Sequence, residues 1–333
     1  MCRRSRLFRL ASAALLFGVG TTASVRAEYA YITNQGDDSV SVVNIEKGEV
    51  IATIAVADAP VGVATTPDGT HLYITHPEAG LISEIDTVTR TVVKTIDTGG
   101  QPFGIAVDDT APVAGNNAQT RRLLFVTDWS RNAVMTVDPV RGVVIDLIHA
   151  GKSPAGIALD RRARRVFVAN RESNTLTVLD ADVPRRYADI PTGRAPFAVA
   201  LVPNGERVYV GNVQSGELTV IDAKALDVVA TVKVGRFPYG IAVTPDGARV
   251  VVANQQDHNI TIVDALSLRT VGNIRVGRHP DGVDITGDGS HALIANWFDD
   301  SISIIDLSTL KERTRVKAGK GCRAFGSFIV RNR

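Results

Sequence analysis

Basic residues recur at one position of a sequence repeat, and their spacing gives this chain its clearest chemical pattern. Each lies two residues before a proline that opens a Pro-x-Gly-(Ile/Val)-Ala phrase or its degraded last copy. The five consecutive cations are Lys152, Arg194, Arg236, Arg278 and Lys320. A ring of cations would concentrate a carboxylate, a phosphate or an acidic partner. The alternative is solvation, since exposed loops favour charge and duplication copies it.

Aromatic and polar side chains accompany these cations. They are Tyr239, Asp281 and Arg323, which follow the anchor residue of their repeats, and Trp129, Trp297 and His279 in neighbouring loops. A mouth of aromatic and cationic groups is typical of a recognition surface. Phe103 and Phe197 occupy the same position, directly after the anchor of their repeats, and are expected instead to pack between repeats.

Asp284 is a charged residue in a column otherwise filled by alanine and glycine. A carboxylate in such a place needs a cation or hydrogen-bond donors. One hypothesis pairs it with Arg323 or Arg278 and has it fasten the last repeat. The other makes it a ligand for an ion or substrate beside His279 and Asp281.

Catalytic patterns are sparse. The six histidines are scattered, so a multinuclear copper site is a poor fit. The sequence has no Gly-x-Ser-x-Gly, phosphate loop or haem-attachment motif. We therefore predict no catalytic residue, metal or cofactor. An asparagine ends the second strand in five repeats, and this repetition favours capping over metal binding.

The repeat itself predicts the fold. The anchor phrase starts at Pro60, Pro102, Pro154, Pro196, Pro238, Pro280 and, degraded, Cys322. Tyr-Ile-Thr-Asn-like strand ends and polar stops keep the same interval, near 42 residues. Four short strands per repeat and seven copies predict an all-β, seven-bladed propeller of four-stranded antiparallel blades. Ala324 to Val330 should complete the blade that Tyr29 to Asn34 begins, which removes the free sheet edges.

Residues 1–27 have the features of a secretory signal peptide: a basic start, an apolar stretch and a small-residue cleavage site ending at Ala27. Sec export is favoured over the twin-arginine route, and the destination is the periplasm. Residues 28–333 then form one domain, which we expect to be monomeric. They hold 32 basic and 35 acidic residues, so nucleic-acid binding loses its simplest support. No other segment resembles a membrane span.

Two local features remain. Ten extra residues fall within Asp109–Arg122, and we interpret them as a tolerated insertion with a mobile loop tip, or alternatively as a partner contact. Cys2 leaves with the signal peptide, so Cys322 has no intramolecular disulfide partner.

These repeats resemble the exported bacterial YVTN-repeat β-propeller family, across nearly all of residues 28–333. The resemblance is specific for fold and weak for function. It suggests a non-catalytic propeller that binds a partner protein or a small anionic ligand, as an accessory factor of a periplasmic redox system of the quinoprotein type. The alternative is an enzyme: a metal-dependent lactonase or lyase, or a dehydrogenase subunit. A DNA-binding or adhesion module is a third, less favoured hypothesis.

Overall fold

Short strands joined by tight turns account for nearly all of the structure, a computed structural model that describes residues 28–113 and 116–331. The predicted signal peptide lies outside these residues. In the repeat that begins at Pro238, the predicted strands match the observed ones: Pro238–Val243, Arg249–Asn254, Asn259–Asp264 and Thr270–Arg275. Apolar side chains on both faces of the second strand are buried, as expected for sheets stacked against neighbours.

The described residues form seven blades, numbered I to VII in chain order, and this confirms the predicted propeller. Blade I contains β1 Tyr29–Asn34, β2 Ser39–Asn44 and β3 Glu49–Ala55. Blade II contains β4 Gly62–Thr65, β5 His71–His76, β6 Leu81–Asp86 and β7 Thr91–Asp97. Blade III contains β8 Pro102–Val113, β9 Asn116–Asp128, β10 Ala133–Asp138 and β11 Val143–His149. Blade IV contains β12 Pro154–Asp160, β13 Arg165–Asn170, β14 Thr175–Asp180 and β15 Arg186–Pro191.

Blade V contains β16 Pro196–Leu201, β17 Arg207–Asn212, β18 Glu217–Asp222 and β19 Asp227–Lys233. Blade VI contains β20 to β23, the four strands of the repeat that begins at Pro238. Blade VII contains β24 Pro280–Ile285, β25 His291–Asn296, β26 Ser301–Asp306 and β27 Lys311–Lys317. The chain ends with β28 Phe325–Ser327 and β29 Ile329–Val330.

Contacts between neighbouring inner strands explain the anchor phrase. A Cβ on Gly104 would lie 2.2 Å from the carbonyl oxygen of Ala155 in the next blade, so glycine lets the two strands approach. The threonine of the Tyr-Ile-Thr-Asn phrase crosses the same boundary. Thr75 Oγ1 donates to the carbonyl of Phe103 at 2.7 Å, and Thr127 Oγ1 donates to that of Ala155 at 2.8 Å. The repeated phrases therefore hold one blade to the next.

Closure of the ring differs in detail from the prediction. Cys322 pairs with Asn34, and β29 pairs antiparallel with β1, so the end of the chain does complete blade I. Between these points β28 pairs in parallel with β4 of blade II. Gly326 permits this detour: its φ is +124°, and a Cβ there would lie 2.3 Å from the carbonyl oxygen of Val63.

The insertion in blade III lies between the first and second strands, as predicted. It lengthens β8 and β9 into a projecting hairpin, so Asn116–Thr120 belongs to a strand and not to a loop tip. Arg122 contacts Asp68 of blade II at 3.4 Å. On the other side, Arg164 of blade IV contacts Asp108 at 2.7 Å. Ion pairs thus hold the base of the hairpin to both neighbouring blades.

Polar residues at strand ends have the capping role that their repetition predicted. Asn170 and Asn254 are fully buried, and their side-chain oxygens accept from the backbone N–H of Gly151 and Gly235. Asp86, which ends β6, accepts from the backbone N–H groups of Val88 and Thr89. These groups stabilise turns and are not available for chemistry.

Candidate functional site: the mouth of the central channel

The loops that lead into the first strand of each blade and those that join the second and third strands share one side of the propeller. We call this side the front face and the other side the rear face. The residue after each anchor projects toward the channel mouth on the front face. Around the ring these residues are Val61, Phe103, Ala155, Phe197, Tyr239, Asp281 and Arg323.

Aromatic side chains close the channel at this mouth. Phe103, Phe197 and Phe325 lie with ring centroids 5.3 to 5.6 Å apart, and Tyr239 stacks on Phe197 at 4.1 Å. Trp129 packs edge-on against Phe103 at 4.9 Å. We call these five residues the aromatic plug. The phenylalanines do pack, as expected, but across the channel and not between blades. The last of them, Phe325, comes from the detour of β28.

A buried ion pair adjoins the plug. Arg323 Nε donates to Asp281 Oδ2 at 2.7 Å, Nη2 donates to the Tyr239 hydroxyl at 2.7 Å, and Nη1 donates to Gln35 Oε1 at 3.2 Å. The guanidinium lies 4.6 Å from the ring of Trp297, a cation–π contact. The mouth residues that the sequence singled out are thus brought together.

Burial and charge act against each other in this pair. Burial raises the pKa of Asp281, and the neighbouring Arg323 guanidinium opposes that rise. Burial lowers the pKa of Arg323, but Asp281 and the Tyr239 hydroxyl outweigh it, so the net pKa lies above its ordinary value. Burial also raises the pKa of Tyr239. Arg323 neutralises Asp281 through Oδ2, whereas Asp281 Oδ1 is buried without a hydrogen-bond partner within the described residues. Because Arg323 belongs to the closing segment, the pair holds that segment to blade VII.

The five predicted cations are all exposed on the front face, but their surroundings differ. Arg236 Nε lies 2.6 Å from Asp257, and Arg278 Nε lies 2.5 Å from Asp299. Each of these carboxylates also accepts from the backbone N–H of its arginine. Two positions of the cationic ring are therefore neutralised locally.

The remaining cations stand in contrasting neighbourhoods. Within residues 28–113 and 116–331, the side chains of Lys152, Arg194 and Lys320 form no ion pair. Lys320 nevertheless lies in an acidic part of the face, where Asp37 accepts from its backbone N–H at 2.6 Å. Among the five predicted cations, those without a nearby carboxylate in the described part of the chain, Lys152 and Arg194, thus lie in blades III to V, and we call this part of the front face the positive sector.

Arg171 is a member of this positive sector that the sequence reasoning missed. It follows the asparagine that ends β13, in the column that also holds Trp129 and Trp297. Its backbone N–H donates to the carbonyl of Ser153 at 3.1 Å, beside Lys152, and its charge lowers the pKa of the Tyr239 hydroxyl against the effect of burial. An alignment of the residue that follows the strand-end asparagine or aspartate in every blade would have singled out Arg171, just as the alignment of the anchor positions singled out the other cations.

One further predicted residue, His279, lies to the side of the mouth. His279 stacks on Phe298 with centroids 4.0 Å apart and lies 5.2 Å from the ring of His258. Its backbone N–H donates to His258 Nδ1 at 3.2 Å. Burial, His258 and Arg278 all lower the pKa of His279. The cluster of His258, His279 and Phe298 thus lies beside the Arg278–Asp299 ion pair on the front face.

Asp284 is not part of the front mouth. It lies deeper along β24, and its partner is Arg331 at 2.5 Å, so the predicted pairing with Arg323 or Arg278 is wrong. Asp284 Oδ2 also accepts from the backbone N–H groups of Phe328 and Ile329 at 2.8 and 2.9 Å. The expected function of fastening the last blade fits these contacts, because both amides belong to the closing segment. Within the described residues, no cluster of three or more histidine, cysteine or acidic side chains could hold a metal ion.

Cys322 replaces the anchor proline and is buried. Its thiol donates to the carbonyls of Asn296 and Ser301, and burial raises its pKa to about 12. A thiol with such a pKa is a poor nucleophile at neutral pH. Cys322 is therefore a packing residue of the closing segment.

Comparison with known proteins gives the fold a family setting. A YNCE-like beta-propeller family model matches residues 181–288, which include blades V and VI. YncE from Salmonella typhi is 35% identical over 91 residues, 27% of this chain and 26% of that protein. YwhL from Bacillus subtilis is 24% identical over 154 residues, 46% of this chain and 31% of that protein. The matches thus span no more than about a third of these relatives' length.

Solved structures agree on the architecture. Hydrazine synthase from Kuenenia stuttgartiensis matches with a TM-score of 0.71 and 18% identity, over 89% of this chain and 99% of that chain. A functionally unknown protein from Desulfotomaculum acetoxidans DSM 771 matches with a TM-score of 0.74 and 14% identity, over 90% and 100%. At such identities the likeness is one of fold. Within the described residues, no helix is long and apolar enough to cross a membrane. The family model and these relatives support a β-propeller of the YVTN type, which the repeat phrases resemble.

Proposed function

We propose that this protein is an exported, non-catalytic binding propeller that holds an acidic partner protein on its front face in the periplasm. The observation that carries the proposal is the positive sector of blades III to V, formed by Lys152, Arg171 and Arg194. Within the described residues these side chains have no carboxylate partner, and Glu172 is the only acidic residue in the front loops that carry them. Unpaired cations on a rigid scaffold favour encounter with a negatively charged surface.

The shape of the front face favours a protein over a small molecule. The plug fills the channel at this side, so the mouth offers a shallow surface and not a deep pocket. Trp129 and Tyr239, both half-buried, lie beside the cations and provide aromatic contact area. Interfaces between proteins concentrate their binding energy in such aromatic and arginine residues. A role as accessory factor of a periplasmic redox system is consistent with this surface.

Charge reversal tests the proposal. The variant Lys152→Glu/Arg194→Glu should lose capture of the partner from native periplasm, measured by affinity purification and identification of what co-elutes. The matched control is Arg162→Glu/Lys224→Glu, which reverses two exposed cations on the rear face and should retain capture. Equal capture by both variants would refute the positive sector as the binding surface.

Export is tested separately. Fractionation of cells that produce the full chain should place the protein in the periplasm with a mature N-terminus at Glu28. Retention in the cytoplasm with residues 1–27 intact would overturn the proposed localisation and leave the binding surface to be judged by the capture experiment.

A further inference from the structure

The rear part of the channel is a blind cup that the front mouth does not reach. Its volume is about 400 Å³. Its wall is made by the inner strands of successive blades, and the detour of β28 contributes Phe325 and Ser327. Since the aromatic plug closes the front side, the cup opens only toward the rear turns. Cavities of this size commonly hold small organic ligands.

The wall combines aliphatic side chains with free strand edges. Ile157, Val199 and Ile241 come from three neighbouring blades and remain partly exposed in the cup, whereas most apolar strand residues elsewhere are fully buried. The inner strands pair on one side only, so their other edges turn backbone N–H and C=O groups toward the channel. Such a wall can pack against the apolar body of a slender molecule through its aliphatic side chains and bind polar groups through the strand edges.

Two guanidinium groups stand at the rim of the cup. Arg161 of blade IV and Arg331, next to blade I, are about 40% exposed and lie three blades apart, on nearly opposite sides of the opening. Arg161 Nη2 donates to the carbonyl of Val107, and its Nε lies 3.4 Å from Asp109. Arg331 uses Nε and Nη2 for Ile285 and Asp284. Within the described residues, Nη1 of both arginines has no hydrogen-bond partner.

The two arginines differ in how firmly they are engaged. Arg331 is tied to Asp284, whose oxygens are also occupied by backbone amides. Arg161 donates to the carbonyl of Val107, and within the described residues its only carboxylate contact is the longer one with Asp109, which is itself about one-third exposed. A ligand carboxylate can therefore approach Arg161 more readily, and an arginine binds a carboxylate through two parallel N–H donors.

We propose that the rear cup binds a small amphipathic monocarboxylate, with its apolar body between the aliphatic walls and its carboxylate on Arg161 at the rim. This site is separate from the front face and does not depend on the function proposed for it. A bound molecule would lie on the far side of the aromatic plug from the positive sector of blades III to V.

Calorimetric titration with three probes of equal chain length tests the charge preference. Octanoate should bind at least tenfold more tightly than 1-octanol, and octylammonium should not bind. Arg161→Ala should reduce octanoate affinity about tenfold and leave the weak binding of 1-octanol unchanged. Absence of octanoate binding, or equal affinity for the acid and the alcohol, would overturn the proposal.

Filling the cup tests the location. Ala200 lines the cup and is partly exposed there, so Ala200→Phe should abolish octanoate binding. Ala225→Phe, in an exposed rear turn outside the cup, is the matched control and should bind like the parent. If Ala200→Phe does not fold, Ala242→Leu fills the same cup from blade VI. Undiminished binding to a folded cup-filling variant would refute the site.

Discussion

Each end of the central channel carries an arginine paired with an aspartate, but the front pair is buried and the rear pair is partly exposed to solvent. At the front end an arginine, Arg323, is sealed between Asp281, Tyr239 and Trp297 beneath loops that carry unpaired cations. At the rear end Arg331 also pairs with an aspartate, but it remains about 40% exposed at the rim of an open cup. Both arginines belong to the closing segment. The difference shows that both ion pairs can hold the closing segment, while burial decides which of them is sealed from solvent and which borders an open surface.

The largest effect should come from breaking the sealed front pair. Asp281→Ala leaves the Arg323 charge buried without its carboxylate, so the free energy of unfolding should fall by about 3–5 kcal/mol. Urea unfolding followed by circular dichroism measures this loss. Replacing both members, as in Asp281→Leu/Arg323→Leu, should recover much of it because no unpaired charge remains. A loss below 1 kcal/mol in Asp281→Ala would contradict the sealed character of the pair.

Breaking the rear pair should cost less. Asp284→Ala removes the acceptor for two buried amides, Phe328 and Ile329, but Arg331 can turn to water. We expect a loss of about 2–3 kcal/mol in the same urea measurement. Asp284→Asn keeps one side-chain oxygen as an acceptor and should lose less than the alanine variant. If the asparagine and alanine variants lose equal stability, amide acceptance is not the role of Asp284.

Asp68, in a rear turn of blade II, should make the free energy of unfolding fall as the pH is lowered. Burial raises the pKa of Asp68, but hydrogen bonds from Thr66 and Thr70 and the charge of Arg122 outweigh it and hold the pKa at about 2. A lowered folded pKa contributes stability above the ordinary pKa near 4 and loses it as the pH falls toward 2.

Stability measured from pH 5 to pH 2 should therefore fall with a smaller slope in Asp68→Asn than in the parent. One proton accounts for at most about 1.4 kcal/mol per pH unit, and solvent near this partly exposed turn reduces that figure. Identical acid slopes in the variant and the parent would show that Asp68 does not contribute.

The smallest effect should come from the exposed pair on the front face. Arg278→Ala removes a contact with Asp299 that water surrounds, so the free energy of unfolding should change by about 0–1 kcal/mol. Because this cation is already neutralised, partner capture should persist as well. Loss of capture in Arg278→Ala, with stability unchanged, would extend the binding surface beyond the positive sector of blades III to V.

The sequence predicted the fold because its markers are local and repeated. Each marker makes the same contact in several blades. The alignment of the repeats was therefore enough to place the anchor glycines, the strand-end asparagines and the turn aspartates. The detour of β28 was not predicted. It depends on one positive φ at Gly326 and on the space left between blades I and II, and neither belongs to the repeat.

The site was predictable only in part, because side-chain pairing depends on contacts between loops that the repeat pattern does not specify. The column of cations before the anchor was correctly placed on one face. That Asp257 and Asp299 neutralise two of them follows from a contact between different loops of a blade, 21 residues apart in sequence. Asp284 was recognised as exceptional, but its partner lies past the last blade strand, where no earlier repeat offers a comparison.

A reciprocal measurement tests most directly the claim that the two channel ends bind different molecules. Lys152→Glu/Arg194→Glu and Ala200→Phe are each assayed for capture of the periplasmic partner and for octanoate binding. We expect the charge-reversed protein to lose the partner and keep octanoate, and the filled-cup protein to show the reverse. If either folded variant loses both activities, or the charge-reversed variant retains its partner, the assignment of separate functions to the two ends is wrong.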